Sequence, residues 1–521
     1  MDGVAEGLFK EFERDKIMTN SQRVIINTIA QYTRTIINVC LSLYSTRLIL
    51  SALGQSDFGI FSVVGGVVAM LSFVTNALVI TTQRYLSFYH GKQDIQQVRA
   101  VFGNSWLLHL LLGVLLVSIL SGLGPWITQN FLNIEVTRRS AALFVYFAAV
   151  AMLFLSFITA PIRALFIARE NIVYISIVDV LDGVFKLVIA LLLARMTCDH
   201  LTTYSSMLIG ISLFNLLAFT LFAAIKFPEF HLPRLRELNK EYIQGLSNFA
   251  GWTIYSAGCV IARNQGISIV LNLFYGTIVN SAYGIALQVS GAVQFISTSI
   301  LNAMNPQIMK AEGAGERQKM LQLCERESKY AFLLFALVAI PLVAEMNTIL
   351  QIWLTDVPEH AVMFCQSILI AALCDQISVG LTSANQAIGH IRNYNLIFYT
   401  LKLLVIVIGW ICLKNNLPIQ SIMWCYVLVE LFTSLLRLPL MKWIADIDMW
   451  HFCKSVFARI AVPCIAVCIT CYMSISYVNL PYRIVLTFAL SLVVGCSTIW
   501  ITALDMAEKS YIKQLIAKII K

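Results

Sequence analysis

Apolar runs of twenty or more residues, each closed by a short polar or basic connection, recur from one end of the chain to the other. A hydrocarbon core roughly 30 Å thick takes about 20 helical residues to cross. On that rule the pattern predicts fourteen helices: 24–52, 59–88, 99–123, 139–168, 172–196, 201–226, 246–274, 279–306, 327–353, 361–388, 392–414, 418–444, 454–476 and 482–505. The closing segment, 506–521, reads as a basic amphipathic helix whose Lys509, Lys513, Lys518 and Lys521 are spaced to lie on anionic head groups. The fold class is therefore an all-α polytopic membrane protein.

The pattern also repeats. Residues 58–72 align with 283–297 at an offset of 225, with Gly59/Gly284, Ile60/Ile285, Val64/Val289, Gly66/Gly291, Val68/Val293 and Ser72/Ser297 identical. Both segments follow the short outer loop of an opening hairpin, so the expected organisation is two six-helix lobes in parallel pseudo-repeat. The boundaries are a cytoplasmic segment 1–23, an N-lobe 24–226, a cytoplasmic linker 227–245, a C-lobe 246–444, two further helices within 445–505, and the tail 506–521.

Composition agrees with the pattern. The chain is 59% hydrophobic and 12% charged, against about 25% charged in a soluble domain, and its mean hydropathy is +0.78. The net charge of +9 is topological and does not point to nucleic acid. With the N-terminus inside, 27 of the 37 lysines and arginines fall on cytoplasmic connections and five on the other side, leaving Arg34, Arg47, Lys186, Arg263 and Lys402 within spans. Both termini are then cytoplasmic. The thirteen cysteines are scattered through apolar segments and imply no disulfide framework. Cys464, Cys468 and Cys471 have a redox-like spacing, but inside a span they read as small apolar residues. No cleavable signal peptide is expected, and either Met1 or Met18 can serve as the start.

The charges left inside spans carry the candidate chemistry, because an arginine there costs about 2.5–3.5 kcal/mol on insertion scales and faces protein or water. Arg34 lies ten residues into the first helix with Asn38 one turn on; Arg263 sits in the interior of the seventh; Arg47 is close enough to the outer interface to snorkel. Arg84, at the inner end of the second helix, reads as an ordinary positive-inside residue. Asp182 and Lys186 are in ion-pair register on the fifth helix, which leaves Asp179 as the spare carboxylate. Asp375, Lys402 and Glu430 fall near mid-membrane on helices ten, eleven and twelve. A buried acid without a full partner can take a proton or a sodium ion, so Asp375, Glu430 and Asp179 are the ion-coupling candidates, with H+ or Na+ as the coupling ion. His109 reads as a core residue, and no metal-ligand spacing, phosphate-binding loop or nucleophile–base arrangement marks an enzyme.

The run Arg47-Leu-Ile-Leu-Ser-Ala-Leu-Gly54-Gln-Ser-Asp-Phe-Gly59-Ile-Phe resembles the first hairpin of polysaccharide-exporter flippases. These belong to the multidrug/oligosaccharidyl-lipid/polysaccharide exporter superfamily, with the lipid II flippase and the multidrug and toxin extruders. The resemblance covers residues 24–445 and implies two six-helix lobes around a cavity that opens alternately to each side. Within that frame Arg34 and Arg263, with Asn38 and Arg47 beside them, are expected to grip a pyrophosphate, since guanidinium offers a planar fork of donors to phosphate oxygens. Snorkelling, or pairing with an acid on a neighbouring helix, is the other reading of the same cations.

The function expected is translocation of an undecaprenyl-pyrophosphate-linked oligosaccharide across the bacterial inner membrane, for surface polysaccharide or lipopolysaccharide synthesis. The lipid-linked oligosaccharide is the substrate, and a polysaccharide polymerase or glycosyltransferases are the implied partners. A cation-coupled multidrug exporter of the same superfamily is the alternative, kept open by Asp375. A membrane scaffold for a glycan-synthesis complex is a third reading, disfavoured by the paired intramembrane charges.

Overall fold

The computed structural model describes residues 20–69, 71–128, 135–193, 195–231, 233, 238–354, 357–477, 483–506 and 508–510. Most of the basic tail, the first 19 residues and Arg234 and Arg236 of the linker lie outside them. The described chain is helical and carries no strand among the described residues. In order the helices are α1 (Asn20–Ala69), α2 (Ser72–Gly91), α3 (Ile95–Trp126), α4 (Arg139–Ala168), α5 (Ile172–Leu193), α6 (His200–Lys226) and α7 (Lys240–Gly313). Then come α8 (Arg317–Ala344), α9 (Met346–Trp353), α10 (Ala361–Gln376), α11 (Val379–Ile388), α12 (Ile391–Lys414) and α13 (Gln420–Ala445). The last two are α14 (Met449–Tyr477) and α15 (Arg483–Ala503).

Among the described residues eleven helices are long and apolar enough to span a membrane, or twelve if the bent pair α10–α11 counts as one span. The predicted second and fifth spans are helical but miss that standard. Their polar content explains it: α2 carries Asn76, Gln83 and Arg84, and α5 carries Asp179, Asp182 and Lys186.

Two glycines set the hairpins. α1 breaks at Gly54 (φ 76°, ψ 170°) and α7 at Gly276 (φ 77°, ψ −165°). That region of backbone space is essentially closed to residues with a Cβ, so the two opening hairpins turn by the same device. A Cβ on either would meet nothing within 4 Å; conformation, not room, requires glycine. The predicted ninth helix is also interrupted, with α8 ending at Ala344 and α9 starting at Met346. Between them the Glu345 carboxylate is held by Arg483 (3.0 and 2.9 Å) and Thr487 (3.0 Å) of α15.

The chain forms two compact units, 25–254 with 312–315, and 255–311 with 316–521. In the first, α4 is the spine. Its buried alanines (Ala142, Ala149, Ala160, Ala164) allow close approach of α2, α3 and α6, the packing mode available where hydrocarbon removes any hydrophobic drive between helices. Leu111, Leu115 and Ile119 form an exposed stripe on α3, suited to acyl chains. In the second unit α8 is the spine, packed by α10, α11, α14 and α15. A Cβ on Gly380 would come within 2.0 Å of the Cys324 carbonyl oxygen, so α11 lies on α8 backbone to backbone.

Candidate functional site

The second unit gathers five charges. Arg263 of α7 bonds through Nη1 to the Glu430 carboxylate of α13. Lys402 of α12 stands between two acids, 2.8 Å from Glu430 and 3.0 Å from Asp375. Arg437, two turns beyond Glu430 on α13, reaches Asp375 Oδ1 at 2.7 Å and the Asp375 carbonyl at 3.0 Å. The Arg263 guanidinium also lies 4.7 Å from the centre of the Tyr426 ring, a cation–π contact. Isolated charges this deep would be prohibitive, and mutual pairing is what makes them tolerable. Three cations face two carboxylates, around a cavity of about 310 Å³ also lined by Ser290, Gln294, Thr382, Gln386 and Tyr399.

Asp375 sits where the predicted tenth helix fails to continue. α10 and α11 meet at an angle of 47°, with Ser378 between them out of helical geometry (φ −128°). The backbone groups released there are recovered by side chains, as irregular backbone at membrane depth requires. Arg437 takes the Asp375 carbonyl, and Ser328 Oγ accepts from Gly380 N at 2.9 Å. Ser378 Oγ donates to the Ser434 carbonyl at 2.8 Å.

The first unit has a similar composition of charge. Arg34 Nη1 is 2.7 Å from Asp179 Oδ2, and Arg163 of α4 holds both oxygens of the same carboxylate at 2.8 and 3.0 Å. Lys186 pairs with Asp182 at 2.6 Å, and Asn215 of α6 donates to Asp182 at 2.7 Å. The cavity here is about 670 Å³, lined by these groups other than Lys186, with Thr35, Asn38 and Ser42. Asn38 is seated against Gly183, where a Cβ would lie 2.7 Å from its Oδ1.

Several expectations change. Arg34 and Arg263 line cavities, but each is bound to a carboxylate and is not an open anion clamp. Asp179 is not spare, since two arginines hold it. Asp375 and Glu430 both have cationic partners. Arg47 is exposed and lies outside both clusters. The Asp182–Lys186 pair forms as expected. Arg84 departs from its expected role: it is 7% exposed, its guanidinium packed on the rings of Tyr85, Phe88 and Phe249 at 4.6–5.4 Å. Arg163 and Arg437 were missed because the charge tally assigned them to cytoplasmic connections. Their positions inside predicted spans, with Arg437 seven residues from Glu430 and so on one helix face, were the available signal.

No protein-family model matches the chain, and no curated protein matches it. Solved structures do. A MATE in the bent conformation superposes with a TM-score of 0.72 at 11% identity, over 84% of this chain and 97% of that one. A transporter of the MOP superfamily from Pyrococcus furiosus, whose binding pocket of reverse polarity suggests a different function, gives 0.70 at 11% identity over 82% and 96%. The MATE transporter ClbM in complex with Rb+ gives 0.66 at 11% over 81% and 94%. The likeness is one of fold: this chain is built on the architecture of the MATE transporters of the MOP superfamily.

Proposed function

We propose that the protein is a cation-coupled exporter of the bacterial inner membrane, working by alternating access, in which an organic solute leaves as a proton or sodium ion enters. The observation that carries this reading is the position of Lys402, shared by Asp375 and Glu430 beside a broken span. A proton or Na+ on one carboxylate weakens its hold on the ammonium, which moves toward the other. When the carboxylate concerned is Asp375, Arg437 loses a charge partner too, and the backbone at the α10–α11 break loosens with it. Ligand binding thereby acts on a discontinuous helix, the element that secondary transporters use to join a site to a rocking motion. The kinship of fold with MATE transporters supports the same reading.

The flippase reading asks more of these residues, because a pyrophosphate would have to displace Asp179 from Arg34 or Glu430 from Arg263. One observation still favours it as the second reading: each cluster holds three cations against two carboxylates. Proteoliposomes separate the two. Efflux of an amphipathic dye against its gradient, driven by an imposed pH or Na+ gradient and lost in Lys402→Met, is the outcome expected. Movement of a lipid-pyrophosphate oligosaccharide between leaflets without dye transport, lost in Arg263→Ala, would establish the alternative instead.

A further inference from the structure

The three carboxylates expected to take a coupling ion are all paired with cations, yet one acid in the second unit has none. Glu327, on α8, is 0% exposed, and neither carboxylate oxygen has a hydrogen-bond partner among the described residues. The Ser383 hydroxyl of α11 is the polar group set against it, and no cation accompanies it among the described residues. The surrounding charges are committed elsewhere. On α8 itself Arg326 and Lys329 turn to Glu508, at 3.8 and 2.8 Å, and Glu325 turns to His451 at 3.4 Å. On α10 and α13, Asp375 is taken by Arg437 and Lys402, and Glu430 by Arg263 and Lys402. From α14, Arg459 acts on Lys329.

An ionised carboxylate buried this completely and left unpaired costs far more than a domain can supply, and such a group is carried neutral instead. Its neighbours give the proton somewhere to act. α11 turns Val379, Thr382 and Gln386 to the charged cavity, while Gly380 lies on the Cys324 carbonyl and Ser383 faces Glu327. Ser328, the next residue on α8, accepts the hydrogen bond from Gly380 N that closes the start of α11. One helix of ten residues thus has the cavity on one side and the acid on the other.

We propose that Glu327 is a proton-binding site, occupied in this conformation, and that its discharge moves α11 and the cavity wall with it. This proton is separate from the H+ or Na+ taken by Asp375 or Glu430, and it acts on α11 from the other side. The coupling role rests on the exporter reading above, whereas the presence of the proton does not. The step is simple: the Glu327 O–H bond breaks, the proton passes to water, and the carboxylate left behind can persist only if α11 shifts to admit water or a donor.

Infrared spectroscopy of the purified protein at neutral pH tests the site directly. A protonated carboxyl band that shifts on exchange into D2O is expected in the wild type and absent from Glu327→Gln. Should that variant fail to accumulate, Glu327→Asp is read instead, and a displaced band is expected. A band unchanged in both variants, or absent from the wild type, overturns the proposal. Neither readout needs a transported solute, so failure to find dye efflux would count against the exporter reading and leave this test standing.

Discussion

Arg437 carries one positive charge at 5% side-chain exposure, while its partner Asp375, at 28%, opens onto the cavity. Removing one member of a fully buried pair leaves the other uncompensated, which costs about 3–5 kcal/mol, while replacing both with neutral groups is often close to neutral. Asp375 keeps Lys402 at 3.0 Å and its opening onto the cavity, so Arg437→Met alone is expected to destabilise the protein by less than that, about 1–3 kcal/mol, read as a lowered unfolding temperature in detergent. Adding Asp375→Asn should recover part of the loss, and a double-mutant cycle measures the coupling. The recovery stays incomplete, because Arg437 also closes the Asp375 carbonyl at the helix break. These residues mark the limit of what the chain disclosed by itself. Arg34, Arg263, Asp375, Lys402 and Glu430 were each visible as charges out of place in an apolar run. Their pairing was not, because the contacts join residues up to 167 positions apart and no local spacing records that. Glu327 escaped notice for the opposite reason: it opened a predicted helix beside Arg326 and Lys329, where an acid looks ordinary.

Among the elements, the helix breaks are where glycine and the ion pairs beside it matter. Gly54 and Gly276 occupy a backbone region that costs about 1–3 kcal/mol for any residue with a side chain, and Gly54→Ala or Gly276→Ala should destabilise by that amount. Gly210 of α6 supplies the contrast: it is helical with open space around its Cα, so Gly210→Ala should be neutral or stabilising by up to about 1 kcal/mol. Thermal unfolding of the three variants checks the change of sign. The predicted hairpin at residues 54–59 was legible because the turn residues lie together in the sequence. The α10–α11 break was not, since its signals are Ser378 and Gly380, and small residues of this kind are common in unbroken membrane helices as well.

The Gly54 hinge is also tied on both flanks. Arg138 bonds to Asp57 on one side and reaches Asp199 at 2.8 Å, while His200 lies 2.9 Å from the Ala52 carbonyl and 3.0 Å from that of Met196. Partial burial works against ionisation of Asp199, but the Arg138 guanidinium and the Thr202 donors prevail and hold its carboxyl below the ordinary range. That contribution is present above the ordinary carboxylate range and is lost as the pH falls through the lowered value. His200 has the opposite sign. Two carbonyl acceptors need both ring nitrogens to donate, which only the imidazolium can do, so its tie is present at low pH and weakens as the ring gives up a proton. Stability should therefore fall away on both sides of a plateau, Asp199→Asn flattening the acid limb and His200→Gln the alkaline one.

For the molecule as a whole the open quantity is how many helices cross. The run of apolar segments calls for fourteen, while helix length and composition give eleven or twelve among the described residues, and the difference lies in α2 and α5. Both are polar for a reason internal to their unit: Arg84 is packed among aromatic rings, and Asp179 is bound by Arg34 and Arg163. A charge satisfied in this way does not bar a helix from the bilayer, since the expensive state is the unpaired one. Fourteen crossings are therefore expected, and one connection decides the matter. If α2 spans, the α2–α3 connection lies inside, in keeping with Lys92 and Arg99 beside it; if α2 does not, that connection lies outside. With the N-terminus inside, as the charge distribution predicts, Cys198, exposed in the α5–α6 connection, is outside on either count and serves as the internal reference. A membrane-impermeant maleimide applied to intact cells should label Cys198 and lose that label in Cys198→Ser. In that background a cysteine introduced by Gln96→Cys, at an exposed position in the first turn of α3, should react only after the membrane is opened. Labelling of Gln96→Cys from outside would reduce the crossings to twelve and place the α4–α5 connection outside with it.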